Sequence, residues 1–408
     1  MKVVFLHPDL GIGGAERLVV DAAIALKSKG HSVKFVTAHH DPTHAFAETT
    51  DGSLEVICVG DWLPRSIFGI FHALCAYIRM IYAAFFLVYR TDMAPDVIFC
   101  DQISACIPIL KRKNAKVVYY CHFPDQLLTD RENWLKKLYR GPLDWLEEKT
   151  TGMADVILVN SKYTAGIFRK TFTTLMDCKL EVLYPSLNFA NYDNIPNGSI
   201  DDVIRKNVNK IFLSINRYER KKNLNLAIYA FEQLLQELPS DQVRRVHLII
   251  AGGYDDRVTE NIEYYQELEE LAQNLEVSDY ITFLKSPSDT EKLLLIHGCT
   301  AVLYTPDNEH FGIVPLEAMY MSRPVIAVNS GGPLETIIDD ETGFLCEPQP
   351  DKFSEAMRKF VENQNLYLKM GKKGNEHVKQ KFSFHLFTEQ LHKTIENLKE
   401  AQSPQTKK

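Results

Sequence analysis

Two glutamates separated by seven residues, Glu309 and Glu317, have the type and spacing that most suggest chemistry in this chain. A strand-like run precedes them and a helical run follows. Gly312 permits a tight backbone, and Pro315 suits the first turn of a helix, where its missing N–H loses no partner. The pattern predicts one carboxylate on a loop and the other in the first turn of a helix, with free N–H groups between them. Such a site can hold a sugar hydroxyl, a ribose and a diphosphate, whereas the alternative is two carboxylates that only favour the helix dipole.

A basic element lies upstream of the acids. Four cations occupy six positions from Arg217 to Lys222, directly after a strand-like run and before a helical one. Arginine can bind a diphosphate with two hydrogen bonds, and lysine acts as a point charge. We therefore expect this loop to hold a diphosphate, with a solvated charged loop as the alternative. Gly252 and Gly253, and the loop at 329–333, also follow strand-like runs, and their backbone can approach a nucleotide or sugar closely.

The N-terminal half offers a glycine turn and a histidine. Gly13 and Gly14 belong to half of a dinucleotide fingerprint, but Glu16 replaces the third glycine and no acidic residue ends the second strand. A nicotinamide site, and with it a dehydrogenase, is therefore disfavoured. The glycine turn can still bring backbone close to a phosphate or sugar, or it can be a purely structural turn. His122 follows another strand, where its ring can contact a sugar hydroxyl or share a proton.

Short apolar runs alternate with helical patterns through both halves of the chain. Seven strand-like runs lie in the N-terminal half and six in the C-terminal half, with helices predicted at 15–29, 224–238 and 316–321 among others. This alternation predicts an α/β fold of two Rossmann-like, doubly wound domains facing a central cleft, with ligands at the C-terminal ends of the strands. The predicted divisions are an N-terminal Rossmann-like domain at 1–190, a linker at 191–209, a C-terminal Rossmann-like domain at 210–380, and a C-terminal helix with a polar tail at 381–408.

Length and composition bound the class of protein. The chain has 408 residues, too many for one ordinary core, and its 45% hydrophobic and 24% charged residues are typical of a globular protein. A net charge of −7 gives no reason to expect a nucleic-acid partner. Eight cysteines without a Cys-x-x-Cys pair argue against a zinc site or disulfide framework and favour a reducing compartment.

One apolar segment, 67–89, is long enough to cross a bilayer. Arg79 near its centre would be costly there, while Trp62 and Tyr89 lie near its ends as at membrane interfaces. A helix lying in the membrane surface, with Arg79 and His72 turned toward headgroups, fits at least as well as a span. We predict membrane contact through this segment, and the alternative is a buried helix of an α/β domain.

Together these features resemble the retaining glycosyltransferases of family 4, which have the GT-B fold, over essentially the whole chain. Four longer blocks, at 7–11, 120–125, 214–223 and 309–320, look more specifically like the eukaryotic α-1,3/1,6-mannosyltransferases of dolichol-linked oligosaccharide assembly. The resemblance implies GDP-mannose as donor and dolichyl-diphosphate-linked Man1GlcNAc2 as acceptor. It also implies addition of an α-1,3 and then an α-1,6 mannose at the cytosolic face of the endoplasmic reticulum membrane.

The resemblance also implies roles for individual residues on the donor side. Arg217 and Lys222 would hold the diphosphate and neutralise its charge as GDP leaves. Glu309 would hold the mannose near the reacting carbon, and Glu317 would bind the ribose hydroxyls. A diphosphate oxygen serves as base in such enzymes, so no protein nucleophile is needed. The other residues expected to line the donor site are Gly252, Gly253, Leu284 (close to guanine), Phe311, Gly312 and Ile313.

On the acceptor side, the resemblance implies that His122 orients the mannose or the acceptor, while Gly13 and Gly14 shape the binding surface. No cofactor or metal is expected to hold the diphosphate, and stimulation by Mg²⁺ stays open. Other mannosyltransferases of the pathway are conceivable partners, and nucleic acid is not. Two alternatives remain: another lipid-linked hexosyltransferase with a different donor or acceptor, and a catalytically idle membrane scaffold.

Overall fold

The computed structural model describes residues 1–67, 71–128, 134–200 and 204–400. Parts of the predicted membrane segment (68–70), the predicted linker (201–203) and the polar tail (401–408) therefore lie outside the described residues. Contacts divide the chain into two units. Unit 1 comprises Met1–Ser186 and the chain from Phe384 onward, and unit 2 comprises Leu187–Ser383.

Unit 1 contains a seven-stranded parallel sheet in the order β3-β2-β1-β4-β5-β6-β7. Its central strands are continuous apolar runs because helices cover both faces of a parallel sheet. The strands are β1 (Lys2–His7), β2 (Ser32–Thr37), β3 (Glu55–Cys58), β4 (Val97–Asp101), β5 (Lys116–Cys121), β6 (Val156–Val159) and β7 (Leu180–Val182). The helices are α1 (Gly14–Ser28), α2 (His72–Tyr89), α3 (Ile107–Leu110), α4 (Trp134–Thr151) and α5 (Lys162–Thr171), together with α15 (Phe384–Glu400) from the end of the chain.

Alternation of side chains along each strand gives unit 1 two cores. Phe5 on β1 faces α1 and α15 and stacks on Phe35 and Phe99 at ring-centre distances of 5.0 and 4.8 Å. Its neighbour Leu6 faces the opposite way, into the core formed with α2, α3, α4 and α5. The two-sided burial holds the C-terminal ends of the central strands in fixed register.

Helix α2 corrects one prediction about the apolar segment. Arg79 is buried and donates to the carbonyl oxygen of Ala38 at 2.7 Å, with Asp61 at 3.4 Å. The prediction that Arg79 turns toward headgroups is therefore wrong, because its guanidinium finds partners inside the domain. One face of α2 packs on the sheet, as in the buried-helix alternative, although by length and composition it is also a candidate membrane span. His72 and the outer edge of the helix stay exposed.

Unit 2 contains a six-stranded parallel sheet in the order β10-β9-β8-β11-β12-β13 around one large core. The strands are β8 (Lys210–Ile215), β9 (Val246–Gly252), β10 (Ile281–Lys285), β11 (Ala301–Tyr304), β12 (Val325–Val328) and β13 (Gly343–Cys346). The helices are α6 (Ala190–Asp193), α7 (Leu224–Glu237), α8 (Ser240–Val243), α9 (Thr259–Asn274), α10 (Asp289–Gly298), α11 (Ile313–Tyr320), α12 (Pro333–Thr336), α13 (Pro350–Glu362) and α14 (Gln364–Lys381).

Candidate active site

The loop between β8 and α7 carries the basic element of unit 2. Tyr218 anchors it, because the hydroxyl of this fully buried side chain lies 2.9 and 3.0 Å from the carbonyl oxygens of Ile250 and Leu284, which share its single hydrogen. Arg220–Lys222 then forms a single 3₁₀ turn, and Thr305 donates to the Lys222 carbonyl oxygen at 2.7 Å. The loop is thus fixed to the ends of β9, β10 and β11, at the edge where parallel sheets bind ligands.

Lys222 and Glu309 form a direct ion pair. The side chain of Lys222 is only 14% exposed, so its charge is held in a partly desolvated setting. Burial alone would raise the pKa of Glu309, but the charge and hydrogen bond of Lys222 outweigh it and lower that pKa. Tyr304, at the end of β11, also hydrogen-bonds Glu309. The structure therefore brings together an ionised carboxylate and an ammonium group that the sequence places 87 positions apart.

The other three cations of the basic element have different surroundings. Arg217 is exposed, lies 3.0 Å from Glu219 and packs its aliphatic stem against Gly253. Lys221 is 67% exposed and pairs with the same glutamate at 2.9 Å. Arg220 turns to the carboxylates of α9. Lys222 is therefore the member of the basic element that contacts Glu309, and Arg217 is the member beside the Gly252-Gly253 turn.

Two glycines shape the loop that carries Glu309. Gly312 has φ = 82° and precedes α11 as its N-cap, a conformation that favours glycine because it has no Cβ. Gly332 donates its N–H to the Glu309 carbonyl oxygen at 2.7 Å, and a Cβ added there would lie 2.2 Å from the Phe311 carbonyl oxygen. The loop that carries Glu309 and the loop that carries Gly332 therefore lie in close contact, which fixes the position of the Glu309 backbone. Phe311 itself is buried against Phe382, whereas Ile313 is exposed.

Glu317 lies in the second turn of α11. The prediction of a first-turn position is wrong, because Gly312 starts the helix at Ile313, three residues before the predicted start. The side chain of Glu317 is buried, accepts from the Tyr192 hydroxyl at 2.7 Å and has Lys292 Nζ 2.7 Å from each of its oxygens. A carboxylate so far into the helix gains little from the helix dipole, so the dipole alternative does not account for it.

A cavity of about 500 Å³ opens where β9 and β10 end. Leu284 lies at that end of β10, and its carbonyl oxygen accepts from Tyr218. The ammonium group of Lys285 lies 4.2 and 3.8 Å from the ring centres of Tyr254 and Tyr265. The cavity is lined by Tyr254, Asp255, Asp256, Arg257, Lys285 and Ser286.

In unit 1, His122 belongs to a row of polar side chains across three neighbouring strand ends. His122 Nε2 lies 2.9 Å from Asp101 Oδ2, and His7 Nδ1 lies 2.7 Å from Asp101 Oδ1. His7 Nε2 in turn faces Glu16 at 3.6 Å. The Glu16 carboxylate lies so close to Gly13 that a Cβ there would be 2.3 Å from it. The glycine turn and the histidine, predicted separately, thus belong to one polar cluster.

Burial and charge set the protonation of this cluster. Burial alone would lower the pKa of His7, but the charge of Asp101, its hydrogen bond to Asp101 and the nearby Glu16 carboxylate raise it to about 10. Burial would raise the pKa of Asp101, yet the charge of His7 and the hydrogen bonds of both histidines lower it. His7 is therefore a cation, and Asp101 an anion, at neutral pH.

Sequence reasoning missed five residues of these clusters. His7 and Asp101 each end a buried strand, which is a signal that sequence carries. Tyr304 likewise ends β11 directly before the acid loop. Lys292 and Tyr192 carry no local signal, because they reach Glu317 from a separate helix and from the predicted linker. Within the described ranges, no group of three or more His, Cys, Asp or Glu side chains is arranged to hold a metal ion.

Comparison with known proteins assigns the chain to a family. The model of glycosyl transferases group 1 matches residues 199–377, and that of glycosyltransferase family 4 matches residues 12–190. The human protein named alpha-1,3/1,6-mannosyltransferase ALG2 is 56% identical over 401 residues, which cover 97% of this chain and 96% of that protein. This chain belongs to the alpha-1,3/1,6-mannosyltransferase family. The protein of the same name from Dictyostelium discoideum is 43% identical and covers 98% of each chain.

Solved structures of other proteins share the fold of this chain. Sucrose-phosphate synthase from Thermosynechococcus elongatus superposes with a TM-score of 0.73 at 19% identity, covering 98% of this chain and all of that one. Anabaena Alr3699/HepE in complex with UDP and glucose gives a TM-score of 0.69 at 18% identity, covering 97% of this chain and all of that one. The resemblance inferred from sequence and the GT-B fold class are both confirmed.

Proposed function

We propose that this mannosyltransferase transfers mannose from GDP-mannose to dolichyl-diphosphate-linked Man1GlcNAc2, first in α-1,3 and then in α-1,6 linkage. The main observation in support of donor binding by unit 2 is the Lys222–Glu309 ion pair, which lies at the C-terminal edge of its sheet. It places a cation that can hold a diphosphate in direct contact with a carboxylate that can hold a hexose. The names of relatives that match this chain over nearly its full length support the sugar and the linkages.

The chemistry is a displacement with retention. The bond between the mannose C1 and the diphosphate oxygen breaks, and the acceptor hydroxyl forms its bond to C1 on the same face. The hydroxyl proton passes to the departing diphosphate, so no protein nucleophile takes part. Lys222 and Arg217 neutralise the charge that grows on the leaving group, which is why their contribution is largest in the transition state. Glu309 accepts hydrogen bonds from mannose hydroxyls and aligns C1.

The nucleoside part of the donor extends along the same sheet edge. Glu317 would accept from the ribose hydroxyls, where the Tyr192 hydroxyl now donates. Guanine would occupy the cavity at the end of β10, close to Leu284. Gly253 lies against the aliphatic stem of Arg217, and Gly252 approaches the Asn216 backbone so closely that a Cβ there would be 1.7 Å from its carbonyl oxygen. The diphosphate would bind beside this turn, at the guanidinium group of Arg217.

Unit 1 carries the acceptor and the membrane contact in this proposal. All three tryptophans of the chain, Trp62, Trp134 and Trp145, are 75%, 71% and 63% exposed. Trp134 and Trp145 lie on α4, whose Tyr139 packs on Phe71 at the start of α2. The outer edge of α2 adds further exposed apolar side chains. Tryptophan prefers the membrane interface, so this surface, which includes residues of the 67–89 segment, would rest on the cytosolic face of the endoplasmic reticulum.

Product analysis tests the activity. Purified protein, supplied with GDP-mannose and a lipid-diphosphate-linked Man1GlcNAc2, should release GDP and extend the glycan by two mannoses. Mannosidases specific for α-1,3 and α-1,6 linkages should remove them. GDP should inhibit and UDP should not. Inhibition by UDP alone would favour another hexosyltransferase, and failure to bind GDP by calorimetry would favour an idle scaffold.

Vesicle co-sedimentation tests the membrane surface. The double variant Trp134→Ser/Trp145→Ser should lose most of its binding to phosphatidylcholine vesicles containing anionic lipid. Leu368→Ser is the matched control, because Leu368 is an exposed apolar residue of unit 2. Equal vesicle binding by the double variant and by the control would show that α4 is not part of the membrane-binding surface.

A further inference from the structure

Asp101 sits at the centre of three neighbouring strand ends in unit 1. Strands β1, β4 and β5 are adjacent in the sheet, so His7, Asp101 and the residue just after β5, His122, come together there. The two carboxylate oxygens are divided between the two rings, with Oδ1 on His7 and Oδ2 on His122. Both His7 and Asp101 are fully buried, whereas His122 is partly open to solvent.

The hydrogen positions follow from this geometry. An ionised carboxylate is an acceptor only, so His7 Nδ1 and His122 Nε2 must each carry the hydrogen that faces Asp101. The second nitrogen of His7 faces Glu16, which makes the cationic form of His7 the one that suits its surroundings. The buried charge of Asp101 is therefore balanced by His7, and the second carboxylate oxygen of Asp101 is left to orient the His122 ring.

The hydrogen-bonding role of the second ring nitrogen of His122, Nδ1, follows from this assignment. With hydrogen on Nε2, a neutral ring presents Nδ1 as a bare acceptor. Nδ1 has no hydrogen-bond partner in the part of the chain that the structure describes. The ring lies 4.7 Å from the ring of Tyr120 between centres, and Asn160 holds the His122 carbonyl oxygen at 3.0 Å. Tyr120 and Asn160 thus limit the orientation of the His122 ring, and Asp101 selects its tautomer.

We propose that Asp101, backed by His7, is a positioning residue that fixes His122 as the Nε2–H tautomer, so that Nδ1 accepts a hydrogen bond from a substrate hydroxyl. The inference rests on the proposed function, since the hydroxyl belongs to the mannose or the acceptor. It extends that function by assigning the ring nitrogen in contact and the two residues that select it. Glu16 takes part only by facing His7.

The decisive experiment is a double-mutant cycle between Asp101→Asn and His122→Asn. Asparagine has the shape of aspartate but only one acceptor oxygen, so it cannot hold both rings as acceptor. Each single variant should lower kcat by about 10- to 100-fold, the scale on which loss of an orienting partner acts. Asp101→Asn should add less than about twofold in the His122→Asn background, because it acts through His122. Multiplicative losses would overturn the proposal.

A spectroscopic readout separates positioning from a structural role and from the proposed function itself. Two-bond ¹H–¹⁵N spectra of protein labelled at histidine, with His122 assigned by its variant, should show an Nε2–H ring at neutral pH. Asp101→Asn should shift it toward the Nδ1–H form, while GDP affinity, a property of unit 2, stays within about twofold. An Nδ1–H ring in the unsubstituted protein would overturn the proposal even if Asp101→Asn failed to fold. Absence of mannosyl transfer by the unsubstituted protein would overturn the function instead.

Discussion

Removal of the ammonium group at Lys222 is the most informative single perturbation of the proposed donor site. The side chain is mostly buried and contacts Glu309, so its charge acts through an environment less polar than water. At an effective dielectric constant of about 20 and a separation of about 4 Å, two unit charges interact by about 4 kcal/mol. About 1.4 kcal/mol changes a rate tenfold, so Lys222→Ala should lower kcat with GDP-mannose by roughly 10²- to 10³-fold.

The neighbouring lysine provides the control. Lys221 has the same side chain in the same 3₁₀ turn, but it is largely exposed and pairs with Glu219. Lys221→Ala should therefore keep its rate within about twofold, as expected for a screened surface charge. Both variants should be assayed by initial rates of labelled mannose transfer, with thermal unfolding and GDP calorimetry alongside. If Lys222→Ala retained near-normal turnover, or if Lys221→Ala lost as much, the electrostatic reasoning would be refuted.

Three further predictions concern stability and nucleotide binding. Gly332→Ala should lower the free energy of unfolding of unit 2 by roughly 2 kcal/mol or more, measured in urea, because its Cβ would collide with the Phe311 carbonyl oxygen. The pKa of His7 is raised from 6.5 to about 10 on folding, so its stabilising contribution should be complete below pH 6.5 and lost as pH rises toward 10. In urea titrations, the difference in free energy of unfolding between the unsubstituted protein and His7→Gln should therefore shrink as the pH rises from 6.5 to 10. Tyr192→Phe should bind GDP roughly two- to tenfold tighter by calorimetry, because the ribose need no longer displace the Tyr192 hydroxyl from Glu317. An unchanged affinity would contradict ribose binding at Glu317.

The strands of both sheets could be predicted from the sequence to within one or two residues. Buried parallel strands are continuous apolar runs, and this signal is local. The positions of the Arg217–Lys222 and Glu309 loops followed from the rule that ligands bind at the C-terminal ends of such strands. The sequence therefore predicted that Lys222 and Glu309 lie at the same edge of the unit 2 sheet, but it did not predict their direct contact.

Contacts that depend on strand order could not be predicted. His7 and Asp101 are 94 residues apart, and only the placement of β4 beside β1 brings them together. Arg79 was misassigned for the same reason, because its partner is the carbonyl group of Ala38 in a distant loop. The start of α11 was missed locally: Pro315 suggested a helix beginning nearby, while the positive φ of Gly312 set the true start earlier.

The distribution of tryptophan has a practical consequence for experiments on this protein. Every indole of the chain belongs to unit 1 and faces outward, so the intrinsic emission originates at that surface. A blue shift on addition of vesicles would report lipid contact without any label. Unfolding of unit 2, which has no tryptophan, would pass unseen in the same signal, and its stability must be followed by circular dichroism.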